Sequence, residues 1–319
     1  MSPIVRRFSA LLVCAPLLLA GCSGGDDSSA SAEEDAKKPP AVAETPQITN
    51  ANERAMPLDT FLLNPEQQKT LGDAYAGLVS DCMKRFGFAY TPPREQEQRS
   101  ADAPTTRVDG RFGTQSAGQA EKWGYHSEGG VSEEDRGPWG GAGQKMTAAM
   151  QTAERGSDDP KEKFGPGGQV VNGETVPDHG CVGEARKKLT GSVDGALADA
   201  ELATDLKFDT LTKAQQDART RAVFAKWSTC MKGKGFDYAH PLAANGDQEW
   251  AKTPQPTRHE IRVATADQEC RTEHNVVGVW FAVDYAYQER AVERNAEALA
   301  GVKKDIDRIL KAAATALAG

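Results

Sequence analysis

Two stretches of the chain, about 150 residues apart, carry one pattern, so the chain must be built on two copies of one local unit. The first reads Val79-Ser-Asp-Cys82-Met-Lys-Arg-Phe-Gly-Phe-Ala-Tyr90-Thr-Pro-Pro93. The second reads Trp227-Ser-Thr-Cys230-Met-Lys-Gly-Lys-Gly-Phe-Asp-Tyr238-Ala-His-Pro241. With Cys82 set on Cys230, Gln67-Gln68, Ala74 and Ser80 fall on Gln215-Gln216, Ala222 and Ser228. Met83, Lys84, Gly87, Phe88, Tyr90 and Pro93 then fall on Met231, Lys232, Gly235, Phe236, Tyr238 and Pro241, with no gap.

Each copy predicts a helix, a glycine stop and an aromatic hook. Asn64 followed by Pro65 reads as an N-cap with proline at the first helical position. Thr212 stands at the matching place, with Gln215 three residues on as a capping box. Gly87 and Gly235 are the expected left-handed C′ residues. Each copy also has a second cysteine with glutamate three residues later, Cys181 with Glu184 and Cys270 with Glu273. Four cysteines allow three pairings, and the duplication favours Cys82–Cys181 with Cys230–Cys270. The two glutamates are expected to cap or salt-bridge the hook, with Lys84 and Lys232 as partners.

The N-terminus reads as an export signal. Arg6 and Arg7 precede an apolar run, Leu11 to Ala20, too short to span a bilayer. The run ends Leu19-Ala20-Gly21-Cys22, which looks like a lipobox and implies acylation of Cys22 with removal of residues 1–21. Multiple acyl chains on Cys22 would anchor the protein stably. Four cysteines then remain for disulfides in an oxidising compartment. The net charge of −8 becomes −10 once Arg6 and Arg7 are gone (36 − 46). An acidic exported chain is a poor nucleic-acid binder, and no partner of that kind is expected.

The remaining chain divides by composition. Residues 22–55 read as a disordered tether. Residues 56–206 form a first repeat unit carrying a Gly-rich insert, of which 94–180 is the least readable part. Residues 207–319 form a second unit with a long amphipathic C-terminal helix. That helix is expected from a Thr257/Glu260 capping box, amphipathic from Ile261 to Leu317, with bends at Gly278 and Gly301. Its bulky part is expected to pack on the second-repeat helix and its thinner end to project. Within the insert, Ala117 to Lys122 and Gln144 to Arg155 are expected helices. Phe112, Trp123, Tyr125 and Trp139 are the candidate binding surface, although aromatics in a glycine-rich loop more often dock it onto a core. The fold class expected is mainly α, with two disulfide-stapled helix–hook units.

Catalytic signatures are weak. None of the five histidines forms H-x-x-x-H, and no G-x-S-x-G motif is present. No catalytic residue, metal ligand or cofactor is expected. Repeated Cys-Met pairs with His240 and His274 hint at a soft metal, against the simpler reading of disulfides beside core methionines.

The combined pattern resembles a group of surface lipoproteins of high-GC Gram-positive bacteria for which no activity is established. The resemblance rests on Leu19-Ala-Gly-Cys22, the Trp227–Tyr238 motif, Ala266-Asp-Gln-Glu-Cys270, Gln288-Glu-Arg…Asn295-Ala-Glu-Ala-Leu299, and Arg111-Phe-Gly…Trp123-Gly-Tyr125. It covers most of residues 60–300. The first repeat departs from it, with Val79 where Trp227 stands in the second, and with its long insert. The expected role is a non-catalytic binding or accessory component on the outer face of the cytoplasmic membrane. It would be held there through Cys22 and would meet an envelope protein or cell-wall partner through the central loop or the C-terminal helix. Two alternatives are an envelope hydrolase with carboxylates in the insert and an extracytoplasmic metal-binding protein.

Overall fold

The structure is a computed structural model describing residues 38–90, 92, 107–108, 110–129, 145–159 and 161–319. Residues 40–319 form one compact unit. Cys22, Pro93 and Trp139 lie outside the described residues.

Ten α-helices occur among the described residues, with a single two-stranded hairpin. In chain order they are α1 (Pro65–Arg85), α2 (Ala117–Trp123), α3 (Ala148–Arg155), α4 (Gly180–Thr190), α5 (Glu201–Gln216) and α6 (Ala218–Gly233). Then follow α7 (Pro241–Asn245), α8 (Arg258–Glu273), α9 (Val276–Arg294) and α10 (Ala296–Ala318). The hairpin pairs β1 (Val170–Val171) with β2 (Glu174–Thr175). The mainly helical class expected from the sequence is therefore observed.

The repeated motif is a helix-ending device, and its chemistry explains each repeated letter. Gly87 N–H donates to Lys84 O at 2.9 Å and Phe88 N–H to Met83 O at 3.0 Å. Gly235 and Phe236 make the same bonds to Lys232 O and Met231 O, each at 3.0 Å. This is the Schellman arrangement, in which a left-handed residue lets two late N–H groups satisfy helix-end carbonyls. Gly87 and Gly235 have φ of 76° and 89°. The motif also brings the residue after the glycine back over the helix, and Phe88 and Phe236 pack with the cores containing the fully buried Met83 and Met231. Each hook tyrosine then donates to a carboxylate, Tyr90 to Glu154 and Tyr238 to Asp247 at 3.0 Å. Gly235→Ala should destabilise by about 1 kcal/mol, because a Cβ there meets nothing but forces a left-handed alanine. Urea unfolding measures this, and an unchanged midpoint would refute the reading.

The two helix starts differ. Asn64 caps α1, accepting from Gln67 N–H at 2.8 Å, with Gln67 returning a bond to Asn64 N–H. Thr212 caps nothing. It lies inside α5, its hydroxyl donating to Phe208 O, and Gln215-Gln216 end that helix. The second-repeat helix starts at Asp217, whose carboxylate accepts from Arg219 N–H at 2.9 Å. The two stretches therefore share the helix end and not the helix start.

The expected C-terminal helix is three helices. Its breaks fall at Asn275 (φ 49°) and Asn295, not at Gly278 and Gly301. Asn275 turns the chain because its amide is engaged elsewhere. Its Oδ1 accepts from Ile48 N–H and its Nδ2 donates to Pro46 O. The same bonds correct the tether. Residues 40–55 lie on the core, with Ala51 fully buried, Val42 and Ile48 packed beside it, and Arg219 donating to Pro40 O.

α9 packs on α5 and α6, as its bulky apolar residues require. α10 does not project. Ile306 and Ala313 are buried against Leu71, Ala74 and Leu189. The last helix therefore completes the core of the first unit, packing on α1 and α4.

Candidate functional site

Disulfides join Cys82 to Cys181 and Cys230 to Cys270, with Cα–Cα distances of 5.5 and 5.8 Å. Both are the pairings expected from the duplication. The first cysteine of each pair lies three residues before the end of its helix, and the second lies on the helix packed across it. The glutamate three residues on then comes over the first cysteine's sulfur. Glu184 Oε2 is 3.8 Å from Cys82 Sγ, and Glu273 Oε2 is 3.7 Å from Cys230 Sγ.

The partners of these glutamates differ from the expected lysines. Lys84 pairs with Asp81 and Lys232 with Asp237. Arg85 takes Glu184, and its guanidinium holds that carboxyl below the ordinary range, with Lys188 adding to the effect. Gly233 stands where the second unit would need Arg85. Glu273 instead lies 3.8 Å from His274 Nε2. The nearest ligand atoms of Cys230, Glu273 and His274 all lie within 4.8 Å of one another. Neither His240 nor the methionines join this group, since His240 caps α7 and Met83 and Met231 are core.

The expected aromatic surface is largely interior. Phe112 is fully buried, edge-on to Trp280 with ring centroids 5.1 Å apart. Tyr125 stacks on Trp250 at 5.7 Å, and its hydroxyl donates to Asp267 at 3.1 Å. Trp123, at the end of α2, is half-buried beneath the Lys122 ammonium. Of the three described aromatics, Phe112 and Tyr125 dock the loop onto the second unit and leave Trp123 on its edge.

Buried charge fixes this docking. Arg111 pairs with Asp284 and donates to Lys207 O at 2.8 Å. Arg271 donates to Asp267 at 2.7 Å and to Phe112 O at 2.6 Å. Trp227 N–H also donates to Asp267, at 2.8 Å. Burial pushes the carboxyls of Asp267 and Asp284 upward, while the guanidinium beside each pulls back. Such pairs cost desolvation to bury, but their geometry admits one arrangement of loop on helix. Trp227 gives the second repeat this polar handle, and Val79 supplies none in the first.

A third pair joins His126 to Glu260. Glu260 Oε1 accepts from Tyr125 N–H, His126 N–H and His126 Nδ1, at 2.8, 3.1 and 2.7 Å. His126 Nε2 faces Thr253 O at 2.8 Å. A carbonyl cannot donate, so Nε2 carries a hydrogen, and the Nδ1–Glu260 contact holds a second proton. Gly124 permits the approach, since a Cβ there would lie 2.7 Å from Glu260 Oε1. Burial lowers the His126 pKa, but the bonds to Glu260 and Thr253 outweigh it and the net direction is upward. A histidine raised on folding stabilises fully below its unfolded value near 6.5. That contribution is lost as pH rises through the folded pKa. Unfolding free energy should therefore fall as pH rises from about 6.5 through the higher folded pKa, and His126→Gln should remove that fall. An equal slope in both proteins, measured by urea unfolding across pH, would exclude the pair as its source.

Two surface cavities are open. One, about 470 Å³, lies between α1 and α10, with Leu78, Ala312 and Ala316 as its apolar wall and Lys188, Arg308 and Lys311 around it. The other, about 410 Å³, lies between α2 and α8 and carries Glu121, Glu269 and Glu273. In the insert, where hydrolytic carboxylates were one expectation, Glu154 accepts from Tyr90 and Asp159 accepts from Lys161 N–H. The hairpin there caps α1, with Asn172 Nδ2 donating to Phe86 O at 2.7 Å. No described helix is long and apolar enough to cross a membrane.

A scan against protein-family models found no match, and neither the curated proteins nor the solved structures gave one.

Proposed function

We propose that the protein is a surface lipoprotein, held by acyl chains on Cys22 at the outer face of the cytoplasmic membrane. There it serves as a non-catalytic binding or accessory component of the cell envelope. The observation that carries this reading is the pair of long-range disulfides in a chain whose first residues spell a lipobox. Disulfides persist in oxidising compartments, and Leu19-Ala-Gly-Cys22 supplies both the export signal and the anchor. A non-catalytic role is supported by how Arg107, Arg111 and Glu154 of the insert are engaged: Arg107 donates to Asp199 and Leu63 O, Arg111 to Asp284 and Lys207 O, and Glu154 accepts from Tyr90.

The contact surface of this reading is the cleft between α1 and α10. Its cations lie beside apolar wall residues on a chain of net negative charge, which suits an anionic envelope component. Lys188 pairs with Glu184 and Arg308 with Asp305, whereas among the described residues no carboxylate pairs with the Lys311 ammonium.

The test is metabolic labelling with an alkyne palmitate analogue, together with fractionation, comparing the wild type with Cys22→Ser. Wild-type protein should carry label and sediment with membranes, and the variant should do neither. A Cys22→Ser protein that still sediments with membranes after a carbonate wash would rule out the lipid anchor.

A further inference from the structure

The two units diverge at one chemically meaningful place. In the first, the glutamate over the disulfide is neutralised by Arg85 and Lys188, and the residue after it is Ala185. In the second, the matching positions are Gly233 and His274. Substitution thus removed a cation from the glutamate and added an imidazole beside it. Among the described residues no lysine or arginine pairs with Glu273. Cys230 and His274 are half-buried, Glu273 is exposed and Cys270 is fully buried, so the group opens to solvent on one side only.

We propose that reduction of the Cys230–Cys270 disulfide creates a Zn²⁺ site made of Cys230, Cys270, Glu273 and His274. The set supplies two sulfurs, one imidazole nitrogen and one carboxylate oxygen, the donor types that tetrahedral zinc accepts. Zinc bonds of about 2.0–2.3 Å imply ligand-to-ligand edges of about 3.3–3.8 Å. Glu273 Oε2 lies 3.7 Å from Cys230 Sγ and its other oxygen, Oε1, 3.8 Å from His274 Nε2, so either oxygen starts about one such edge from a neighbouring ligand, and one ligand atom from each of the three residues lies within 4.8 Å of the others. The sulfurs are bonded to one another in the oxidised protein and cannot act as thiolates, so the oxidised form withholds the site. The chemistry balances with a small-molecule or protein dithiol as reductant. The dithiol gives two electrons and two protons, closes to its own disulfide, and leaves Cys230 and Cys270 as thiols. Zn²⁺ then displaces the two thiol protons. The first unit has no such site, because Arg85 holds its glutamate and no histidine follows. This redox-gated metal site, on α6 and α8, is separate from the residues that line the α1–α10 cleft.

The test uses the full chain with Cys14→Ser and Cys22→Ser, which leaves four cysteines. It is reduced with a dithiol, desalted anaerobically and titrated with Co²⁺ as a spectroscopic stand-in for Zn²⁺. One equivalent should bind with sulfur-to-cobalt charge-transfer absorption, and equimolar Zn²⁺ should bleach it. The oxidised protein should show neither signal. His274→Ala should weaken binding by at least about 100-fold, beyond the loss expected for a supporting partner, while leaving the thermal midpoint of the oxidised protein unchanged. Glu273→Ala should act in the same direction. Absence of the charge-transfer band in the reduced protein would overturn the proposal. So would equal cobalt binding by oxidised and reduced protein, or by His274→Ala and wild type.

Discussion

Asp284→Ala should destabilise the protein by about 3–5 kcal/mol, the range for breaking a buried ion pair from one side. The choice of partner matters. A stranded aspartate can take up a proton, but Arg111 cannot give one up, and it is almost wholly buried beside Asp284. The variant would leave a guanidinium in the core with only Lys207 O to bind. Loss of the pair should also loosen the Arg111–His126 segment, because Phe112 follows directly and packs on Trp280 of the same helix. Urea unfolding gives the magnitude, and hydrogen exchange at residues 110–126 gives the location. A paired Arg111→Met, Asp284→Leu protein should recover most of the loss, since it removes both charges and keeps volume. If that double variant is as unstable as Asp284→Ala, shape and not charge governs the site.

The second large effect belongs to the disulfides, and the two should not be equal. Cys82–Cys181 spans 99 residues of sequence and Cys230–Cys270 spans 40. If their main action is to restrict the unfolded chain, alanine replacement of the first pair costs about 4.7 kcal/mol and of the second about 3.9 kcal/mol. Steeper denaturant dependence should accompany both losses, because the freed unfolded chain exposes more surface. A larger loss from the shorter loop would show that local packing around Cys270, which is fully buried between α6 and α8, outweighs chain entropy.

What could be read from the sequence was local or duplicated. The Cys-Met-Lys-x-x-Gly-Phe-x-Tyr pattern fixes a helix end by neighbouring backbone bonds alone, so its outcome needed no knowledge of the rest. The disulfide pairing followed because the repeated sequence pattern adds a second constraint to four cysteines. The failures are long-range. Residues 40–55 have the composition of a linker, yet Asn275 and Arg219, some 180–230 positions away, hold them. The breaks fall at Asn275 and Asn295 and not at the glycines because an asparagine's turn depends on what its amide finds: Asn275, left-handed at φ 49°, bonds residues 46 and 48, and Asn295 Nδ2 donates to Ala291 O. Two signals were available and passed over. Val-Val-Asn172-Gly173-Glu-Thr is a hairpin signature, with both turn residues at positive φ (52° and 88°). Asp284 inside the apolar run Val276–Tyr287 announced a buried partner. Phe112 illustrates the remaining ambiguity: an aromatic in a glycine-rich loop looks the same in sequence whether it faces solvent or Trp280.

The position of α10 has a consequence for how the protein comes into being. The helix that seals Leu71 and Ala74 is the last of the described helices. A polypeptide synthesised from its N-terminus delivers α1 well before α10, with more than 200 residues between them. The apolar face of α1 must therefore wait, open, until the turns of α10 have been made. Contacts of such separation are slow to form and leave intermediates prone to wrong association. A nascent chain that lost only its last twenty residues would fail at its beginning rather than its end.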